Sequence, residues 1–170
     1  MPDPLERFRP TSETLHRSLL DRLVDLDPDW SEDRPKSVGT QMDEIRESFR
    51  RDLESLLNTR RPPDSPPDAL PELNDALVSF GVDGFYITAL VTAQQREEFA
   101  QRLENRIRLF EPRFESVRVS VLPARNAAER SLRLRIEAAY VAAEGFPPVA
   151  FETAVDPSTQ RILVEAPHGG

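Results

Sequence analysis

Apolar residues recur every three or four positions in three stretches of the chain, then at every second position in its last third. Leu15, Leu19, Leu20, Leu23 and Val24 form one stripe; Met42, Ile45, Phe49, Leu53, Leu56 and Leu57 form a longer one. Phe99, Leu103, Ile107 and Phe110 form the third. That spacing gives a helix one apolar face. Thr11 or Ser12 is the predicted N-cap of the first helix, and Asp27-Pro28-Asp29 ends it. Trp30 to Gly39 reads as a loop. The second helix closes at Asn58-Thr59-Arg60-Arg61. Thr92-Ala93-Gln94-Gln95 is a capping box that opens the third. Between these, Leu73, Leu77 and Phe80 predict a short helix stopped at Gly81, and Phe85 to Val91 a brief strand or buried coil.

The alternating segments are Val117–Val119–Val121, Leu132 through Tyr140, Val149 through Val155, and Ile162 to Val164 after the turn Asp156-Pro157-Ser158. Strict alternation means one buried and one wet face, and short connections favour antiparallel pairing. Helices first and strands after predict an α+β fold, with N-terminal helices packed on a small, mainly antiparallel four-stranded sheet. The expected organisation is a tail, amphipathic helix and loop over 1–39, a main domain over 40–166, and a short tail over 167–170. The proline-dense run at 61–71 can form neither helix nor sheet interior and reads as a stiff surface connection.

One junction stands out. In Phe110-Glu111-Pro112-Arg113-Phe114 proline must stop the third helix near Phe110 or Glu111, because it lacks an N–H and disfavours helical geometry in the residue before it. If the segment is extended, Glu111 and Arg113 share a face. Without a kink at Phe114, that face is also the face of Val117, Val119 and Val121. Charges aimed at an apolar layer point to error or function.

Composition narrows the chemistry. The chain has 170 residues and no cysteine, which removes disulfides, thiolate catalysis and Cys-ligated metal. A chain this long buries roughly 70% of its unfolded surface and needs no such staple. Its first ten residues are charged and proline-rich, unlike a signal peptide. No stretch reaches the roughly 18 apolar residues of a membrane span, so the expectation is a cytoplasmic protein without direct membrane insertion. Net charge is -8, with 22 basic residues of which only Lys36 is lysine. That balance, without a basic face, argues against nucleic acid as a partner.

Catalysis finds little support. Among 30 acidic residues some pair will fall at glycosidase-like separation by chance. Beyond phenylalanines only Trp30, Tyr86 and Tyr140 are available to stack a sugar. His16 and His168 have no partner at nucleophile or metal-ligand spacing, and the six glycines make no phosphate cradle. No catalytic residue, metal ligand or cofactor is expected.

Four segments resemble the TssE family, baseplate subunits of bacterial type VI secretion similar to the phage-tail "lysozyme-like" baseplate wedge protein. Ser18 to Leu23 matches the opening helix. Arg51-Asp52-Leu53-Glu54-Ser55-Leu56-Leu57-Asn58-Thr59-Arg60-Arg61 matches the signature DLExLLNTRR nearly letter for letter. Ser79-Phe80-Gly81-Val82 stands where Asn-Tyr-Gly-Leu is more usual. Phe110-Glu111-Pro112-Arg113 carries the Glu-Pro-Arg motif, followed by a "VRV" strand. The resemblance implies a non-enzymatic part of a contractile injection machine, the "lysozyme" label being a misnomer. It also implies a place at the inner-membrane-docked baseplate and, as partners, the wedge proteins TssF, TssG and TssK and the sheath proteins TssB and TssC. A phage-tail or extracellular injection baseplate, and a stress-response anti-adaptor of the same fold, remain the alternatives.

Three candidate sites follow. Glu111, Pro112 and Arg113 form either a solvated ion pair at a helix end or an enclosed pair facing a partner or the core. Arg60 and Arg61 either cap bare helix carbonyls, favoured there by the helix dipole, or contact a partner. Ser116 to Leu122, or Gln160 to Glu165 with Ile162, Leu163 and Val164 at its centre, is a sheet edge able to accept a strand of sheath.

Overall fold

The structure, a computed structural model, describes residues 23, 29, 37–62, 67, 69–84, 90–125, 131–140, 149–156 and 158–165. Of the predicted first helix only Leu23 is among them. The Thr11 or Ser12 cap, the Trp30 position, residues 85–89 with Tyr86, and both histidines lie outside the described residues.

The long second stripe is helix α1, Val38–Asn58. Ser37 caps it by accepting from the Thr40 N–H at 3.2 Å. The helix therefore begins inside the predicted loop, with Gly39 in its first turn. Ile45, Phe49, Leu53, Leu56 and Leu57 are buried along one face. Helix α2, Ala93–Phe110, opens with both halves of the capping box: Gln95 N–H donates to Thr92 Oγ1 at 3.1 Å, and Thr92 N–H to Gln95 Oε1 at 2.9 Å. Its buried face is Phe99, Ala100, Leu103 and Ile107.

Strands β1 (Phe114–Val121), β2 (Leu132–Tyr140), β3 (Val149–Asp156) and β4 (Arg161–Glu165) form one antiparallel sheet in sequence order. The register aligns buried residues into rows: Val119 beside Ile136 beside Phe151, and Leu132 beside Val155 beside Ile162. The two helices cover this face, α2 over β1 and α1 over β4. Each side chain buried here as completely as Phe151 or Ile136 contributes about 1.5–3 kcal/mol. Arg118, Arg135 and Glu137 occupy the opposite, exposed face.

One expectation needs correction, and one condition left open is decided. Leu73, Leu77 and Phe80 do not lie on one helix. The segment folds as two 3-10 turns, Pro71–Asn74 and Leu77–Ser79, and leaves Leu77 84% exposed. Nor do Glu111 and Arg113 share a face with the valines through a continuous strand. Residues 111–113 form a turn, and an irregularity between Phe114 and Ser116 resets the phase, so that Phe114 and Val117 are both buried.

Candidate functional site

The turn that breaks the phase still encloses the charges. Pro112 leaves Glu111 at φ -120° and ψ 76°, outside the helical region, after its N–H has closed the last turn of α2 on Ile107 O at 2.8 Å. Glu111 is 7% exposed. Arg113 reaches back across the turn as a fork, Nε donating to Glu111 Oε1 and Nη2 to Oε2, each at 2.5 Å. Nη2 also donates to Asp52 Oδ2 on α1 at 2.6 Å. The guanidinium lies 4.5 Å from the centre of the Phe49 ring, which in turn packs on Phe114 and Tyr140.

Electrostatics follow from that enclosure. Burial works against the charge of Arg113, but the hydrogen bonds and charges of Glu111 and Asp52 outweigh it and hold the guanidinium above its ordinary pKa. Burial likewise pushes the Tyr140 hydroxyl up, with Arg113 pulling it partly back. The cluster ties α1, the end of α2 and the start of β1 together. Its charged groups are bound to one another across three elements, which is the arrangement of a clamp. Pro112 is exposed at its outer rim.

The second signature segment does different work. After α1 ends at Asn58, Val82 N–H donates to Thr59 O at 2.9 Å and Arg61 N–H to Val82 O at 3.1 Å, a short parallel bridge between Arg60 and Val82. Gly81 makes it possible: its φ is +105°, and a Cβ there would stand 2.4 Å from Thr59 O. Arg106 of α2 holds the same loop, Nε donating to Gly81 O at 2.9 Å and Nη2 to Ser79 O. Arg60 donates to Leu57 O, a bare carbonyl at the end of α1, at 3.2 Å, and to Gln160 O. Burial lowers its pKa. Arg61 pairs with Asp83 at 3.3 Å.

Both candidate strands are edges of the sheet, and side chains of the helices already meet their backbones. On β4, Asn58 Nδ2 donates to Ile162 O at 2.8 Å and Asn58 Oδ1 accepts from Ile162 N–H at 2.9 Å. Arg50 donates to Val164 O at 3.4 Å. Ile162 and Val164 are buried beneath the helices, whereas Leu163 is 51% exposed on the outer face. On β1, Glu104 Oε2 accepts from Val119 N–H at 3.0 Å and Arg108 donates to Val117 O at 3.3 Å. An open groove of about 810 Å³ follows β4, lined by Glu54, Asn58, Arg60, Ala154, Ile162 and Leu163 among others.

Sequence reasoning named Glu111 and Arg113 but missed Asp52, Asn58 and Glu104. The first two lie inside the DLExLLNTRR run, which was the available signal. Glu104 has no counterpart signal, because nothing local distinguishes it from the other acids of α2.

A family model of baseplate wedge protein gp25 matches residues 43–144. This chain belongs to the baseplate wedge gp25 family. The family includes TssE of type VI secretion. The match runs from the first turns of α1 through β2, so it spans both signature segments and the ion cluster they form. No curated protein and no solved structure matches the chain. As a gp25-family protein it is a component of a phage-type or secretion-type baseplate that interacts with other baseplate or tail proteins. Among the described residues no helix is long and apolar enough to cross a membrane, and no group of three or more His, Cys, Asp or Glu side chains is placed to hold a metal ion.

Proposed function

We propose that this protein is a structural, non-enzymatic baseplate subunit of a type VI secretion system. It joins the wedge proteins TssF and TssG, beside TssK, in the cytoplasm at the inner-membrane-docked baseplate. It then starts polymerisation of the TssB–TssC sheath by accepting a strand at a sheet edge. The family match over residues 43–144 carries the reading, and the Asn58-Thr59-Arg60-Arg61 ending of the signature favours the secretion machine over a phage tail. In this reading Pro112 and the open rim of the Glu111–Arg113 cluster meet the wedge. Arg60 and Arg61 hold the scaffold, and the Ile162-Leu163-Val164 edge receives the sheath.

Co-expression with the products of neighbouring genes tests it. Wedge proteins should co-purify with the chain, and cells lacking it should build no full-length sheath. Full-length sheaths in those cells, or release of fragments from peptidoglycan by the purified protein, would overturn the reading. Phage structural genes as neighbours would move it to a contractile tail.

A further inference from the structure

A primary amide presents one donor and one acceptor side by side, as the backbone of a neighbouring strand does to a residue of an antiparallel ladder. Asn58 presents that pair to Ile162, donating to its carbonyl at 2.8 Å and accepting from its N–H at 2.9 Å. Its Nδ2 also donates to Glu54 O at 2.8 Å, which fixes the amide plane against α1. Arg60 on Gln160 O and Arg50 on Val164 O extend the coverage to the alternate residues 160, 162 and 164. These carbonyls lie on the side of β4 away from β3. An unpaired row of such groups is a template for any extended chain.

We propose that Asn58 is a latch. It closes the β4 edge in the free subunit and gives way when an extended segment of another subunit adds there. This deepens the function proposed above and rests on its strand-addition step. The exchange is close to balanced, because two hydrogen bonds from a side chain are replaced by two from a backbone, so a correctly placed strand displaces the latch at little net cost. Arg50 keeps Glu47 and Glu54 as partners after releasing Val164 O. The central groups of the edge are thus held back from a second copy, and the groove beside β4 is the path of the incoming chain.

The experiment compares the full chain with Asn58→Ala by amide hydrogen exchange at Ile162 and by sedimentation over a range of concentrations, after melting curves confirm that both are folded. The variant should exchange Ile162 at least about fivefold faster when dilute. As concentration rises it should self-associate and recover protection there, while the parent stays monomeric. Asn58→Asp retains the acceptor, so its Ile162 N–H should exchange near the parent rate. A folded Asn58→Ala protein that exchanges Ile162 at the parent rate, or that stays monomeric throughout, overturns the latch. Sheath seeding by the parent chain reads the proposed function separately. Its failure beside a self-pairing Asn58→Ala variant would remove that function and leave the latch standing.

Discussion

The two signature segments use their polar side chains in opposite ways. Around Phe110–Phe114 charge meets charge: Arg113 is held between Glu111 and Asp52 over the face of Phe49. At the end of α1, side chains meet backbone. Asn58 reaches β4, Arg60 reaches Leu57 O and Gln160 O, and the bridge beside them joins main chain to main chain. An enclosed ion cluster is fragile in one direction, since removing one member leaves another charge unpaired away from water. A side chain on an edge is forgiving, because water or a partner strand can replace it. The first arrangement therefore suits a fixed corner of a scaffold, and the second a surface that must change partners on assembly.

Arg113→Ala should break the comparison most visibly. Glu111, with a side chain only 9% exposed, would lose both arms of the fork, and Asp52 on α1 its contact with Arg113. The expected loss of unfolding free energy is about 3–5 kcal/mol, read by denaturant titration. Arg113→Lys keeps the charge but not the fork and should fall between. A loss below about 1 kcal/mol would class the cluster with exposed ion pairs and erase the contrast.

Gly81→Ala probes the other segment without touching a charge. The positive φ alone costs about 1–3 kcal/mol for alanine, and the new methyl would press on the Thr59 carbonyl. The bridge between Arg60 and Val82 should open, and exchange of the Val82 and Arg61 amides should quicken while the Arg113 cluster stays intact. Simultaneous loss of protection around Phe114 would mean that the two segments are one cooperative unit.

Much of this was legible in the chain. Periodicity located both described helices and all four strands, because burial on one face imposes 3.6 and 2.0 residue repeats whatever the fold. The capping box was readable because its two hydrogen bonds join residues three apart. What escaped is long-range. Asp52 and Arg113 are 61 residues apart and Asn58 and Ile162 are 104 apart, so no local spacing announces either contact. The kink at Phe114 could be named from the chain as a condition but not decided there, for a related reason: the strand slips its phase where Tyr140 and Ala139 receive Phe114 and Ser116 in turn. Leu77 failed because its segment folds as two separate 3-10 turns, Pro71–Asn74 and Leu77–Ser79, so the spacing of Leu73, Leu77 and Phe80 has no continuous helix to use it.

The smallest expected effect separates the two sheet edges. Glu104 serves β1 as Asn58 serves β4, but it is charged, accepts only, and shares its carboxylate with Arg108 at 2.7 Å. Glu104→Gln keeps an oxygen for the Val119 N–H and loses an ion pair whose arginine is 55% exposed. Stability should fall by less than about 1 kcal/mol, and the difference from the parent should shrink further in high salt, where such pairs are screened. Sedimentation should show a monomer at all concentrations, because α2 still lies across β1 and the amide still occupies Val119 N–H. If Glu104→Gln associates as readily as Asn58→Ala, then altering one side chain opens either edge, and the choice of β4 as the receiving edge loses its ground.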